Sequence, residues 1–179
     1  MPVKLDVTGQ AVPLYGSLVL VDPFIEFEDD DGTGAVGPVP DAYVEATRHR
    51  VYIQAAQPSA AISVRIQLWT GPPDTQPTEE WSEPLDVSAE FPQGKLMLEN
   101  ISYGAVALSP GDLTQLRLPG GPGRYNVRVR SRNREAALLR VQEIWEQTRN
   151  TPTRLEHYYA VNGFEQYLAQ VWKSVRSGR

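Results

Sequence analysis

Ile62-Ser63-Val64-Arg65-Ile66-Gln67-Leu68 decides the fold, because apolar and polar residues alternate along the whole stretch. Successive side chains of a β-strand point to opposite faces, so this pattern predicts a half-buried strand. Further short β-rich segments lie on both sides of it, at 18–21, 51–55, 85–91, 96–98, 116–118 and 124–130. Turn residues separate these segments. About seven to nine short strands in this arrangement predict a mainly β protein, an antiparallel β-sandwich.

The pattern changes after Asn133. Over residues 134–148 the apolar residues recur at helical spacing, which predicts one late α-helix, ended by Asn150 and Pro152. Residues 164–175 fit either a helical stripe or a strand. Asn162-Gly163 is a strong hairpin signal, because both residues tolerate positive φ, so the strand is favoured and the helix remains the alternative.

Length and composition predict one domain covering residues 1–179, since 179 residues with 41% hydrophobic content can bury a core. Residues 28–42 contain almost nothing to bury, so we expect a mobile loop there. The chain has no Cys, which excludes disulfides, thiolate zinc sites and a cysteine nucleophile. No cofactor is predicted.

Two further classes of protein are argued against by the sequence. No apolar run approaches the roughly 20 residues that span a bilayer, and the N-terminus lacks the pattern of a signal peptide, so no membrane partner is expected. The net charge of −5 also argues against general binding of nucleic acid. That charge is polarised: residues 1–120 carry 17 acidic and 6 basic residues, and residues 121–179 carry 5 acidic and 11 basic residues. The two portions either pair within one fold or steer a charged partner.

An acidic cluster is the most conspicuous polar feature, and it consists of Glu26, Glu28, Asp29, Asp30 and Asp31. Three interpretations remain open: a solvated loop, a surface that faces a partner, and a calcium site built from carboxylate oxygens. The spacing does not match an EF-hand, because counting Gly32 as the sixth loop residue places Pro38 twelfth.

A stripe of arginines is the counterpart of the acidic cluster, formed by Arg124, Arg128, Arg130 and Arg132, with Arg134 at the same parity. One interpretation is a surface that recognises phosphate or carboxylate groups. The other is an exposed sheet face whose arginines lie opposite Asp86 and Glu90 on a neighbouring strand. Trp81, in a Pro-rich loop, is a candidate interface anchor.

No catalytic arrangement is evident. The glycine-rich stretch 120–123 lacks the Lys-Ser/Thr ending of a phosphate-binding loop, and no G-x-S-x-G motif is present. The two histidines have no partner at a useful spacing. The sequence therefore predicts that the chain is not an enzyme.

The order of elements resembles a small bacterial β-sandwich family, that of the inhibitor of the DNA-entry nuclease of competent bacteria, called competence protein J. The resemblance rests on the β-rich run and acidic loop from residue 18, the strands in 60–69 and 85–91, the Leu-Pro-Gly…Tyr phrase in 116–129, and the closing strand in 165–172. The helix at 134–148 and the loop at 32–40 look like insertions. The resemblance implies a cytoplasmic protein that acts by binding another protein, and it supplies no catalytic residues.

Two functions remain in competition. The leading hypothesis is a non-enzymatic bacterial protein-binding module, an inhibitor or immunity protein of a nuclease or toxin. Its partner would be a basic protein, contacted through Glu26, Glu28, Asp29–Asp31 and Trp81, with Arg128 and Arg130 as the second candidate surface. The alternative is a sandwich that binds a small ligand or calcium.

Overall fold

The computed structural model describes residues 2–25, 43–73, 81–100, 103–149 and 151–175. The strands are β1 (Val3–Ala11), β2 (Ser17–Val21), β3 (Val44–Ala46), β4 (Arg50–Gln54), β5 (Ile62–Trp69), β6 (Leu85–Phe91), β7 (Lys95–Asn100), β8 (Gly104–Ala105), β9 (Leu108–Ser109), β10 (Leu116–Arg117), β11 (Gly123–Arg132) and β12 (Gln166–Lys173). The helices are α1 (Arg134–Thr148) and α2 (Arg154–Tyr159), with a short 3₁₀ turn at Leu14–Gly16.

The strands form two sheets. The larger sheet has the order β6-β11-β12-β5-β1-β9, and the smaller has the order β10-β7-β2-β4-β3 with β8 paired to β7. Strand β5 shows the alternation that the sequence predicted, because every second residue from Ile62 is buried. The prediction of a mainly β sandwich is confirmed.

The inner faces of both sheets share one apolar core. Its fully buried members include Leu18, Leu20, Ile53, Ile62, Val64, Ile66, Leu98, Val127 and Val171. Each such side chain contributes about 1.5–3 kcal/mol through removal from water. This core holds the strands rigidly, so the outer face and the ends of the larger sheet are fixed platforms for polar side chains.

Strand β1 was not among the predicted strands. It pairs with β5 from Ala11↔Ile62 to Val3↔Trp69, with a bulge near Val3. The signal was present, because Val3, Leu5 and Val7 alternate with polar residues, but Gly9 interrupts it. A Cβ at position 9 would lie 2.8 Å from Leu108 Cδ2, so close packing against β9 favours glycine there.

The antiparallel prediction needs one correction. Strand β12 lies between β11 and β5; it runs antiparallel to β11 and parallel to β5. A parallel pair needs a connection that returns the chain to the same end of the sheet. Here the whole chain between β5 and β12 makes that connection, and α1 and α2 form its last part, between β11 and β12.

The late helix is confirmed, since α1 spans the predicted residues. The strand at 164–175 is also found, as β12, but the predicted hairpin is wrong. Residues before Asn162 belong to α2 and its following turn, and Gly163 has φ +73°. Gly163 uses its positive φ to leave this turn, with its N–H bonded to Ala61 O at 2.7 Å. Buried Val141, Ile144 and Tyr158 pack α1 against α2.

Two turns meet at one end of the sandwich. Gly94, in the turn between β6 and β7, has φ +64° and packs directly against the backbone of Gly121. The buried Tyr125 hydroxyl lies 2.8 Å from Pro119 O and 2.7 Å from Gly121 O, which fixes the glycine-rich turn before β11. Burial raises the pKa of Tyr125 to about 12, so this hydroxyl stays a donor.

Candidate functional site

The arginine stripe lies on the outer face of the larger sheet, where β11 pairs with the edge strand β6. Arg128 is directly opposite Asp86, and its Nε and Nη2 donate to the two carboxylate oxygens at 2.8 Å each. This two-pronged contact lowers the pKa of Asp86 and raises that of Arg128. The interpretation that the arginines face acidic residues on a neighbouring strand is therefore confirmed for Arg128.

The Arg128–Asp86 pair begins a polar row that crosses five strands. The register aligns Asp86, Arg128, Gln170, Gln67 and Asp6 side by side on β6, β11, β12, β5 and β1. Gln170 Nε2 donates to Gln67 Oε1 at 3.1 Å, and Gln67 Nε2 donates to Asp6 at 3.0 Å. Hydrogen bonds therefore fix the Gln170–Gln67–Asp6 part of the row, and the Arg128–Asp86 pair fixes its other end.

The far end of this row carries a second two-pronged ion pair. Arg65 Nε and Nη2 donate to the two oxygens of Asp6 at 2.9 and 2.7 Å. The Arg65 contact, aided by the Gln67 bond, holds the pKa of Asp6 below its usual range despite partial burial. Each end of the row is thus an ion pair with no net charge.

Aromatic side chains lie beside the row. Trp172 on β12 is in register with Trp69 on β5, and the exposures of the two are 7% and 8%. The Arg128 guanidinium lies 5.5 Å from the centre of the Trp172 ring, a cation–π contact. Arg128 is thereby fixed by a carboxylate on one side and a ring on the other.

Arg130 is buried and bonds a backbone carbonyl group. It is only 6% exposed, and its Nη1 donates to Ser82 O at 2.9 Å. The stripe ends at Arg132, because Asn133 adopts φ +59° and α1 begins at Arg134, whose guanidinium lies 5.3 Å from the Tyr43 ring. Arg134 therefore does not lie on the sheet face that strand alternation predicted for it.

Trp81 is the neighbour in sequence of Ser82, the residue that Arg130 contacts. It is partly exposed and precedes Ser82, whose N–H bonds Ser131 O at 2.8 Å. The Tyr43 and Ser82 hydroxyls lie 2.8 Å apart. The structure thus brings the neighbours of Trp81 and Arg130 together at one end of the larger sheet.

The same end contains a buried carboxyl group that sequence reasoning missed. Glu165 is 1% exposed; its Oε1 accepts from Ala56 N at 2.7 Å and lies 2.5 Å from the Tyr167 hydroxyl. Its Oε2 has no hydrogen-bond partner in the described structure. Burial raises the pKa of Glu165, opposed by these hydrogen bonds and by the nearby charge of Arg134.

The acidic cluster lies outside the described residues, and so does the predicted mobile loop at 28–42. Calcium binding by that cluster therefore stays a hypothesis. Among the described residues, no group of three His, Cys, Asp or Glu side chains could hold a metal ion. No helix of the described part is long and apolar enough to cross a membrane.

Two solved structures are similar to this chain along nearly the whole length. The first is the product of crocagin biosynthetic gene J, at a TM-score of 0.53 and 16% identity, with 98% of this chain and 100% of that chain covered. This chain shares its fold with the crocagin protein.

The second is the crystal structure of ComJ from Bacillus subtilis, the inhibitor of the DNA-degrading activity of NucA. The TM-score is 0.47 and the identity 9%, over 97% of this chain and 98% of that chain. The resemblance inferred from the sequence thus reappears among the solved structures, as a distant one. No family model and no curated protein sequence matches.

Replacing Asp86 by Asn should lower the free energy of unfolding at pH 7 by about 0.5–1 kcal/mol, because a half-exposed ion pair contributes little in water. The folded-state pKa of Asp86 is depressed, so its stabilisation is present above the unfolded value of 3.8 and is lost as pH falls through the folded value. Urea denaturation of both proteins at pH 7 and pH 2.5 measures this difference, which should be smaller at the lower pH. An equal difference at both values would exclude the charge as its source.

Proposed function

We propose that this chain is a non-enzymatic protein-binding module that inhibits a basic nuclease or toxin in the cytoplasm. One observation carries the proposal: the two arginines of the second candidate surface, Arg128 and Arg130, are engaged inside the fold. Arg128 is neutralised by Asp86, and Arg130 is buried against Ser82. Neither is available to bind an acidic partner, so of the two candidate surfaces the acidic one is favoured.

Two segments of the sequence are strongly acidic. Residues 26–42 contain six acidic and no basic residues, and residues 74–80 contain three acidic and no basic residues. The residues that follow these two segments, Tyr43 and Trp81-Ser82, lie at the same end of the larger sheet, joined by the Tyr43–Ser82 contact of 2.8 Å. Acidic segments attract a basic partner and accelerate the encounter.

The outer face of the larger sheet supports a protein partner over a small ligand. Small-molecule sites are mostly apolar clefts with a few polar groups. The polar row from Asp86 to Asp6 instead lies along a sheet face and most of its side chains bond one another, and Trp81 is partly exposed. Preorganised polar surfaces with an aromatic anchor are typical of protein interfaces. A nuclease as the partner is what the sequence resemblance implies.

Replacing Asp29, Asp30 and Asp31 together by Asn should slow association with the partner about tenfold at low salt, because exposed carboxylates act mainly on encounter. The immobilised chain retains the partner from a native lysate of the source organism; mass spectrometry identifies it, and surface plasmon resonance gives its rates at low and high salt. The effect should shrink at high salt, where charges are screened.

The matched control replaces Glu135, Glu143 and Glu146 by Gln, which removes the same net charge from exposed positions of α1. This variant should retain most of the association rate. Equal slowing by both variants would show that only net charge matters. A retained protein that is acidic, or one whose nuclease or toxin activity the chain leaves unchanged, would refute the proposed function.

A further inference from the structure

A polar groove lies at the opposite end of the larger sheet from Tyr43 and Trp81. It has a volume of about 670 Å³, and its basic and hydroxyl side chains are those of Arg124, Lys173 and Ser174. Glu90 also lines it. A second hollow, of about 470 Å³, shares Glu90 and Arg124 with the first and extends to Arg48.

The glycine-rich turn holds Lys173 in this groove. Lys173 Nζ donates to Pro122 O at 3.0 Å and to Gly120 O. A Cβ at Gly120 would lie 2.9 Å from Lys173 Cδ, and one at Gly123 would lie 3.2 Å from Lys173 Cε. The turn therefore wraps closely around the side chain. Its carbonyl groups use two of the three ammonium hydrogens, and one remains.

Arg124 is the arginine of the stripe whose cross-strand partner is occupied elsewhere. It lies opposite Glu90 in the register, but Glu90 accepts from Arg48 Nε at 3.0 Å. Arg124 instead donates from Nε and Nη2 to the neutral Ser88 hydroxyl, at 3.1 and 2.8 Å. Within the part of the chain that the structure describes, Arg124 and Lys173 have no carboxylate partner.

Ser174 completes the group. Its N–H bonds Arg124 O at 2.9 Å, which sets the two residues side by side at the end of β12. The Ser174 hydroxyl makes no hydrogen bond to another described residue. Holding the glycine-rich turn requires only Lys173. It does not explain why the exposed Arg124 lies in the same groove, bonded only to a neutral hydroxyl.

We infer that this groove binds a phosphate group, either as the free ion or as a phosphate monoester. Arg124 offers its Nη1 hydrogens, Lys173 its remaining hydrogen and Ser174 its hydroxyl, a donor set that suits the three terminal oxygens of a monoester. The Glu90 carboxylate is neutralised by Arg48, so its repulsion of an anion is reduced. The lining of the groove is more polar than apolar, which favours a polar ligand over an apolar one.

The test is a titration of the ¹⁵N-labelled full chain with inorganic phosphate, at pH 7.5 and an ionic strength kept constant with NaCl. The amide signals of Gly123 and Ser174 should shift and saturate, with a dissociation constant in the millimolar range, as a small exposed site gives. Replacing Arg124 by Gln should weaken binding about tenfold, and replacing Ser174 by Ala should weaken it severalfold. Replacing Arg117, an exposed arginine on β10 outside the groove, by Gln should change nothing.

Three ligands separate the sources. Inorganic phosphate and glycerol phosphate distinguish the free ion from a monoester, and acetate is the carboxylate control. Non-saturating shifts with both phosphates, or shifts of equal size with acetate, would overturn the inference. So would unchanged phosphate affinity in both the Arg124→Gln and Ser174→Ala variants. None of these results depends on the protein partner proposed above.

Discussion

Replacing Gly94 by Ala should destabilise the protein by about 3 kcal/mol. Gly94 has φ +64°, a conformation that costs an alanine roughly 1–2 kcal/mol. A Cβ there would also lie 2.6 Å from Gly121 C and 2.7 Å from Pro122 N. Both atoms belong to the backbone, so relief requires moving the turn that Tyr125 and Lys173 hold, at a further cost of about 1–3 kcal/mol. Equilibrium denaturation by urea measures the loss.

Gly104 provides the matched control. It also has positive φ, +78°, but a Cβ there meets nothing within 4 Å. Gly104→Ala should therefore cost only the backbone term, about 1 kcal/mol. The difference between the two variants isolates the close approach of the two turns. Equal losses would show that these turns do not pack against each other in solution.

The elements that the sequence predicted are those whose signal is local. The alternation in 62–68 depends only on neighbouring residues, and so does the helical spacing in 134–148; both elements appear where they were predicted. Asn162-Gly163 misled because the same dipeptide suits the turn after a helix, where Gly163 again supplies positive φ. The parallel pairing of β12 with β5 could not be predicted, since it depends on where the chain re-enters the sheet.

The candidate site, too, was predictable only where its signal is local in the sequence. Alternation placed Arg128 opposite an acidic residue, and Asp86 is that residue. The row that continues through Gln170 and Gln67 depends on the register of strands far apart in sequence, which no local pattern specifies. Glu165 was missed for a related reason: Ala56, its backbone donor, lies 109 residues away. In the sequence a buried glutamate looks like an exposed one.

Replacing Glu165 by Ala should destabilise the protein by about 3 kcal/mol at pH 7. The change removes the acceptor of the Ala56 N–H and leaves a cavity at a position that is 1% exposed. A buried donor without a partner costs about 1–3 kcal/mol, and the lost packing adds to this. Replacing Glu165 by Gln keeps an oxygen for Ala56, fills the space and removes the charge, so this variant should lose less stability at pH 7 than Glu165→Ala.

The pH dependence separates the charge from the packing. Burial raises the pKa of Glu165 in the folded protein above the ordinary value of 4.5. As pH rises, the unfolded chain loses this proton first, so the folded state binds more protons and the free energy of unfolding falls between pH 4.5 and the folded pKa. Below pH 4.5 this penalty is absent, and above the folded pKa it is constant.

The contacts of the Tyr167 hydroxyl agree with a raised pKa of Glu165. Its hydroxyl lies 2.8 Å from Gln54 O, a carbonyl that can only accept, and 2.5 Å from Glu165 Oε1. One hydroxyl hydrogen serves both contacts fully only if Glu165 carries a proton of its own. Denaturation of the wild type and Glu165→Gln from pH 4 to pH 8 should therefore show a decline with rising pH that the variant lacks, after the shared contributions of the other groups are subtracted. A difference between the two proteins that stays constant over this range would mean that Glu165 is ionised throughout, with Arg134 outweighing the cost of burial.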